Sequence, residues 1–481
     1  MGLAGHKDLL RTEPPFFREI VLFFKEDKTM PENAKGNKMG IMPVGALLLN
    51  MSVPLMLSLL VQSLYNIVDS IFVSRISESA LTATSLAYPV QILMVAAAVG
   101  TGVGVSALLS RLIGSGQRKK ACEGAANGIF LSLLTSLIFI ILGIFAVKWF
   151  VGLYTSDEQT GQMCVIYLRI CMIFCSGTFL ETMAQRLLQA VGNTFLSMVS
   201  LVAGALTNII LDPILIFGLL GLPALGIKGA AIATVIGQWV GAAVALFLNK
   251  FKNRDISISF KGFRPDPKMI RAIYKVGLPT MVMQAMGSIM NAAMNAILIT
   301  FSSTAVAFFG VYFKLQNFLF MPMNGLGQAA LPIVGFNYGS KDKERLGKVL
   351  KTAVPAAACI GILGTIIFCA IPGPLLSLFN ASGDMLTLGI PALRVISLTF
   401  ALGAVTMVLG YYASGLGNGV INMLGTALRQ VMILVPFVWI FAKLFGIESV
   451  WYAFWISESI AFAITLILFA NTYKRKIREI S

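Results

Sequence analysis

IFLSLLTSLIFIILGIFAV, residues 129–147, carries no charged side chain and no proline. At the helical rise per residue it covers about 30 Å, the thickness of a bilayer's hydrocarbon core. Only helices and closed barrels satisfy their backbone in lipid. A barrel strand would alternate polar and apolar residues over a short segment, and this run does not. It reads as a transmembrane helix. AVPAAACIGILGTIIFCAI at 353–371 reads the same way. The whole chain agrees: 57% of its 481 residues are hydrophobic and 12% are charged, against about 25% charged in a soluble domain. Mean hydropathy is +0.83.

The net charge is +16. No nucleic-acid motif accompanies it, and the basic residues gather in particular connections. Arg118, Lys119 and Lys120 lie at 114–120. Lys250, Lys252, Arg254, Lys261, Arg264 and Lys268 lie at 250–269. Lys341, Lys343 and Arg345 lie at 338–345, and Lys474, Arg475, Lys476 and Arg478 end the chain. Apolar periodicity places spans at 46–72, 80–110, 121–147, 163–188, 195–220, 228–249, 270–300, 305–337, 346–371, 385–412, 419–442 and 450–473. With twelve spans, every basic connection falls on one side. The positive-inside rule makes that side cytoplasmic, with both termini on it. Residues 1–40 are charged and show no cleavable signal. Within them PFFREIVLFFKEDK (15–28) sets Phe16, Phe17, Ile20, Val21 and Phe24 on one helical face, an amphipathic helix or a simple tether. The six cysteines lack metal-ligand spacing, and Cys171 and Cys175 read as small packing residues. His6, the only histidine, lies in the tail.

A repeat organises the rest. At an offset of 225 residues, Pro54 pairs with Pro279, Ser63 with Ser288, Asn66 with Asn291 and Gln91 with Gln316. Gly114-Ser115 pairs with Gly339-Ser340, Leu168-Arg169 with Leu393-Arg394, and Gly192-Asn193 with Gly417-Asn418. Six helices per half is an even number, so both halves enter from one side and are related by an axis along the membrane normal. The fold expected is an all-α integral membrane protein of twelve transmembrane helices in two pseudo-symmetric six-helix bundles. Residues 1–45 form a cytoplasmic tail, 46–249 and 270–473 the lobes, 250–269 the linker and 474–481 the C-terminus.

Ionisable groups in hydrocarbon cost about 2.5–3.5 kcal/mol at mid-helix and mark function. Gln62, Asn66 and Asp69 share a face of the first helix, as do Asn208 and Asp212 of the fifth. Pro213 follows directly, and Thr234 of the sixth helix adds a hydroxyl. These oxygens suit a hard cation such as Na+. A carboxyl pair in a buried site equally suits a proton. The plainer alternative is interhelical hydrogen bonding alone. Glu181, with Gln185 and Arg186 nearby, fits a structural ion pair or a substrate contact. Glu458 reads as structural, and Lys314 and Arg429 have no evident partner. Met283, Met286, Met290 and Met294 form one face of the seventh helix, and Asn291 and Asn295 suggest a polar cavity beside it. No P-loop occurs, and GTGVGVS (100–106) is no dinucleotide fingerprint.

SLYNIVDSIFVSRI (63–76) followed by ALTATSLAYPVQ (80–91), GVSALLSRLIGSGQRKKA (104–121), NIILDPILIFG (208–218), GAAIATVIGQ (229–238) and GFNYGSKDKER (335–345) together resemble the multidrug and toxic compound extrusion (MATE) family, over roughly 45–470. The resemblance implies no enzyme but a secondary active exporter. Amphipathic, mostly cationic drugs would leave by antiport with H+ or Na+, through alternating access of two lobes. In one branch the coupling ion sits in the N-terminal lobe, at positions matched by Asp69, Asn208, Asp212 and Thr234, and the first helix bends at a proline matched by Pro54. A second branch uses acids on helices seven and ten. Gln284 and Asn291 stand on the seventh here, and Asp384 only at the edge of the tenth.

The substrate cavity is expected at Gln62, Tyr65, Asn66, Glu181, Met283, Gln284, Met290, Asn291 and Met294, with the C-terminal lobe supplying mainly apolar wall. No cofactor is expected beyond the coupling ion, and no nucleic-acid partner. A monomer in the bacterial inner (plasma) membrane is expected. The rivals are a flippase for a lipid-linked oligosaccharide or other large amphipathic lipid, an intramembrane prenyltransferase, for which the carboxylates are too few, and a channel.

Overall fold

The computed structural model describes residues 37–379, 381 and 383–480. The 15–28 segment and His6 lie outside the described residues. No strand occurs among the described residues, and helices fill nearly all of them.

The first half comprises span 1 (Val44–Ser74), span 2 (Glu78–Gly114), span 3 (Arg118–Phe145), span 4 (Glu158–Ile173 with Ser176–Ala190), span 5 (Thr194–Phe217) and span 6 (Ile227–Lys252). The second comprises span 7 (Pro267–Leu298), span 8 (Ser303–Gly339), span 9 (Lys343–Ala370), span 10 (Gly383–Ser397 with Phe400–Gly415), span 11 (Val420–Phe445) and span 12 (Tyr452–Glu479). Ten of these helices are long and apolar enough to cross a membrane unaided, and the two bent pairs make twelve if each is one crossing.

Span 3 shows why the opening stretch is helical. Its inner face holds Ser132 and Ser136, both buried. Ser132 Oγ donates to the carbonyl of Phe179 at 3.1 Å, and Ser136 Oγ lies 3.3 Å from Ser176 Oγ. Leu133, Leu134, Leu137, Ile138 and Ile141 point outward and are exposed. Small polar residues meet other helices while branched apolar ones meet lipid. Cys171 and Cys175 are buried free thiols. Cys175 Sγ donates to the carbonyl of Ser136 at 3.5 Å.

The spans expected at 163–188 and 385–412 are each broken, by 47°. The cause is local and the same in both halves. Cys175 N–H donates to Met172 O at 3.3 Å and Thr399 N–H to Ile396 O at 3.0 Å, so the chain tightens to i→i−3 bonds. No proline marks either break. Beyond them, Gly192 (φ 90°) and Gly417 (φ 87°) end spans 4 and 10 in the same left-handed C-cap. The turn after span 2 repeats too, with a change of residue: Gly116 has φ 74°, and Lys341 at the equivalent position has φ 61°.

Span 11 breaks the symmetry. Leu428–Met432 is a π turn, absent from span 5, and it carries Arg429.

Spans 1, 2, 7 and 8 join the halves: span 2 packs on span 7, and span 8 on span 1. At the ends bearing the basic connections the two lobes touch backbone to backbone. A Cβ on Gly114 would run into the carbonyl of Phe336, and one on Gly339 into the carbonyl of Arg111.

Candidate functional site

Span 1 brings Asp69 against span 5. The Asp69 and Asp212 carboxyls are close enough to interact directly. One turn earlier on span 5, Asn208 Nδ2 donates to Asp212 Oδ1 at 3.3 Å and to Thr234 Oγ1 of span 6 at 3.5 Å. Asn208 and Asp212 are 3% and 0% exposed. Asp69 Oδ1, Asn208 Oδ1 and Asp212 Oδ2 are buried and have no hydrogen-bond partner. The four residues expected at a cation site are thus brought together, and three of their oxygens stand unsatisfied. Such acceptors are costly in a dry interior. Two carboxylates in contact repel, and a proton or a metal cation between them removes the repulsion. Oxygen donors of this kind fit a hard monovalent cation.

The cluster opens on a cavity of about 170 Å³ in the first half. Gln62, Tyr65, Glu181, Arg186, Asn208 and Thr234 are among its polar lining residues. Of the expected cavity residues, Gln62, Tyr65 and Glu181 are therefore in place. Asn66 is exposed and outside the wall, whose share of span 1 runs from Leu55 to Tyr65. Glu181 forms no ion pair with Arg186. Gln185 Nε2 donates to Glu181 Oε1 at 3.1 Å, while Arg186 Nη1 donates to Gln189 Oε1 at 2.8 Å and across the lobes to Gln328 Oε1 at 2.9 Å.

A second cavity, of about 200 Å³, lies in the second half. Its wall repeats the first one. Gln284 stands at the position of Leu59, Asn324 at that of Val99, Thr406 at that of Glu181, Asn422 at that of Ser197 and Arg429 at that of Gly204. Met283 and Gln284 line it as expected, but Asn291, Met290 and Met294 do not. Met290 and Met294 are 4% and 0% exposed and pack into the core, where unbranched Met fills gaps. Asn291 Nδ2 turns back to its own helix, onto Gly287 O at 3.4 Å.

The expected apolar wall is also corrected. Gln284, Gln316, Asn317, Asn324, Asn422 and Gln430 make this cavity amide-rich. Intramembrane Asn and Gln on spans 8 and 11 were the signal. Arg429 is partnered after all: its Nη1 lies 3.3 Å from Glu458 Oε1, and its guanidinium lies 5.5 Å from the centre of the Phe320 ring. Lys314 Nζ lies 5.9 Å from the Phe379 ring.

The family model described as MatE matches residues 54–214 and again 279–440. The two matches begin 225 residues apart, at Pro54 and Pro279. Multidrug export protein MepA of Staphylococcus aureus (strain MSSA476) is 26% identical over 432 residues, covering 89% of this chain and 94% of that protein. MepA of Staphylococcus haemolyticus (strain JCSC1435) is 25% identical over 416 residues, covering 86% and 90%. Among solved structures, an outward-facing multidrug resistance MATE family transporter of the MOP superfamily superposes with a TM-score of 0.84 at 25% identity, over 94% of this chain and all of that one (100%). A MATE in the bent conformation gives 0.85 at 25% identity, over 92% and 100%.

Proposed function

We propose an ion-driven export cycle, and its ground is that the chain belongs to the MatE family. It is a multi-pass membrane protein and a multidrug efflux transporter. The coupling ion, H+ or Na+, binds between Asp69, Asn208, Asp212 and Thr234. The observation carrying this reading is the set of three unsatisfied buried oxygens on Asp69, Asn208 and Asp212.

The mechanism follows from linkage. The cluster adjoins the first-half cavity, since Asn208 and Thr234 line that cavity. An ion bound there favours one arrangement of the lobes and weakens a cationic drug nearby. By reciprocity the drug weakens the ion. The basic face is cytoplasmic, by the positive-inside rule. Its close lobe contact at Gly114 and Gly339 then corresponds to a state closed toward the cytoplasm. Pro54 serves as the bend point of span 1. Residues 250–269 act as the linker between lobes, and a monomer in the bacterial inner membrane suffices for the cycle. A flippase of anionic lipids is disfavoured because the arginines lining the two cavities, Arg186 and Arg429, are both engaged by side-chain partners.

The test is efflux of a fluorescent organic cation from vesicles under an imposed sodium or pH gradient. Asp69→Asn and Asp212→Asn are each expected to abolish gradient-driven efflux. Efflux undiminished in both would remove the assignment. The gradient that drives the parent protein identifies the ion.

A further inference from the structure

The first-half cavity contains a carboxylate that the coupling site does not use. Glu181 lies on span 4, and no cation pairs with it among the described residues. Its one hydrogen-bond donor is the neutral amide of Gln185. The cation nearest in sequence, Arg186, is committed to Gln189 and Gln328. Space around the carboxylate is kept by glycine. A Cβ on Gly241 would fall onto Glu181, and one on Gly204 would lie 3.4 Å from its Oε1. Tyr65, in the same wall, offers an aromatic face of the kind that attracts cations.

The equivalent cavity of the second half has no carboxylate among the described residues of its wall. Thr406 replaces Glu181, and Arg429 replaces Gly204. Arg429 is neutralised by Glu458. Among the described residues, Glu181 is thus the only carboxylate lining either cavity, and neither cavity-lining arginine pairs with it. A carboxylate taken from water is stabilised by a proton or by a partner charge, and a cationic ligand supplies the latter.

We propose that Glu181 is the residue that selects and anchors the cationic group of the exported compound, in the first-half cavity beside the ion cluster. The uncharged, hydrogen-bonding part of the compound faces the amide-rich second-half cavity. Glu181 is distinct from the coupling residues, so its loss changes which compound is moved and not whether a gradient moves it. The proposal rests on the export reading above.

The test compares tetraphenylphosphonium with a neutral amphiphile of similar size. Binding is measured by calorimetry on purified protein, and transport in proteoliposomes under the gradient that drives the parent protein. Losing one charge-assisted contact is worth about ten- to a hundredfold. Glu181→Gln is expected to weaken tetraphenylphosphonium binding and raise its KM by that factor, with the neutral compound transported as before. Glu181→Asp is expected to restore most of the affinity, which a merely structural role would not produce. Unchanged tetraphenylphosphonium binding in Glu181→Gln overturns the proposal. So does equal loss of the cation and the neutral compound. A parent protein that binds the cation but exports neither compound overturns the export reading instead, and the binding comparison still decides the role of Glu181.

Discussion

Gly114 and Gly339 occupy the same position in the two halves, and each lies against the backbone of the opposite lobe, Gly114 on Phe336 and Gly339 on Arg111. Only a hydrogen fits on either Cα. The contact joins lobes and not the helices of one lobe, so it exists only while the basic face is closed. Gly114→Ala and Gly339→Ala are each expected to destabilise that closed arrangement by about 1–3 kcal/mol, the usual cost of overpacking. Since each lobe is untouched, the cost appears as a population shift of tenfold or more. Spin labels at Lys120 and Lys343 measure it by their separation. An unchanged distance distribution in both variants would refute the closure role.

Arg345 fastens the same face. Its Nη2 donates to the carbonyls of Met39 and Met42 at 2.9 and 2.8 Å. Those residues belong to a segment that also touches the first half and the linker, where Asn37 Nδ2 donates to Val191 O at 3.2 Å and to Asp255 Oδ2 at 2.7 Å. The segment therefore ties the lobes together. Arg345→Ala is expected to loosen closure by about 1–3 kcal/mol, seen as faster proteolysis or hydrogen exchange at 37–42. Protection equal to the parent protein's would count against it.

Arg429 and Glu458 are 11% and 13% exposed in their side chains. Glu458→Gln removes the counter-charge and leaves the guanidinium on the cavity wall. Part of that charge reaches the cavity, so the expected loss is about 1–3 kcal/mol and not the larger cost of a fully buried pair. Thermal melting in detergent reads it. Arg429→Met with Glu458→Leu is expected to recover most of the loss, and failure of that rescue would show that the pair does more than neutralise itself.

Pro54 has no N–H for the carbonyl of Asn50, and Thr194 Oγ1 reaches that carbonyl instead, at 3.5 Å. Pro54→Ala restores the helical bond and stiffens span 1. The expected result is a higher melting temperature with a severalfold slower efflux at saturating dye. Parent-like turnover would remove the hinge.

Reading the sequence recovered what lies within one helix. The spacing from Asn208 to Asp212 is enough to put both on a face, and apolar length is enough to find the spans. The repeat was visible because dipeptides such as Gly192-Asn193 and Gly417-Asn418 keep register. What escaped depends on how helices turn against one another. Arg429 and Glu458 meet across spans 11 and 12, and nothing local to either announces the other. Met290 and Met294 share a stripe with Met283, yet only Met283 reaches a cavity. The breaks at Cys175 and Thr399 have no proline, and the π turn at Arg429 has no sequence signature.

The turn that holds Gly116 in one half holds Lys341 in the other, at nearly the same left-handed φ. A side chain there costs about 1 kcal/mol, so Lys341→Gly is expected to raise the melting temperature. A lowered one would contradict that reading. The wider consequence is that this chain carries its own reference sequence. Wherever the halves keep one backbone and differ in residue, the sister half names a substitution already tested on that shape. An engineer seeking a sturdier protein can draw candidates from 225 residues away before consulting any relative.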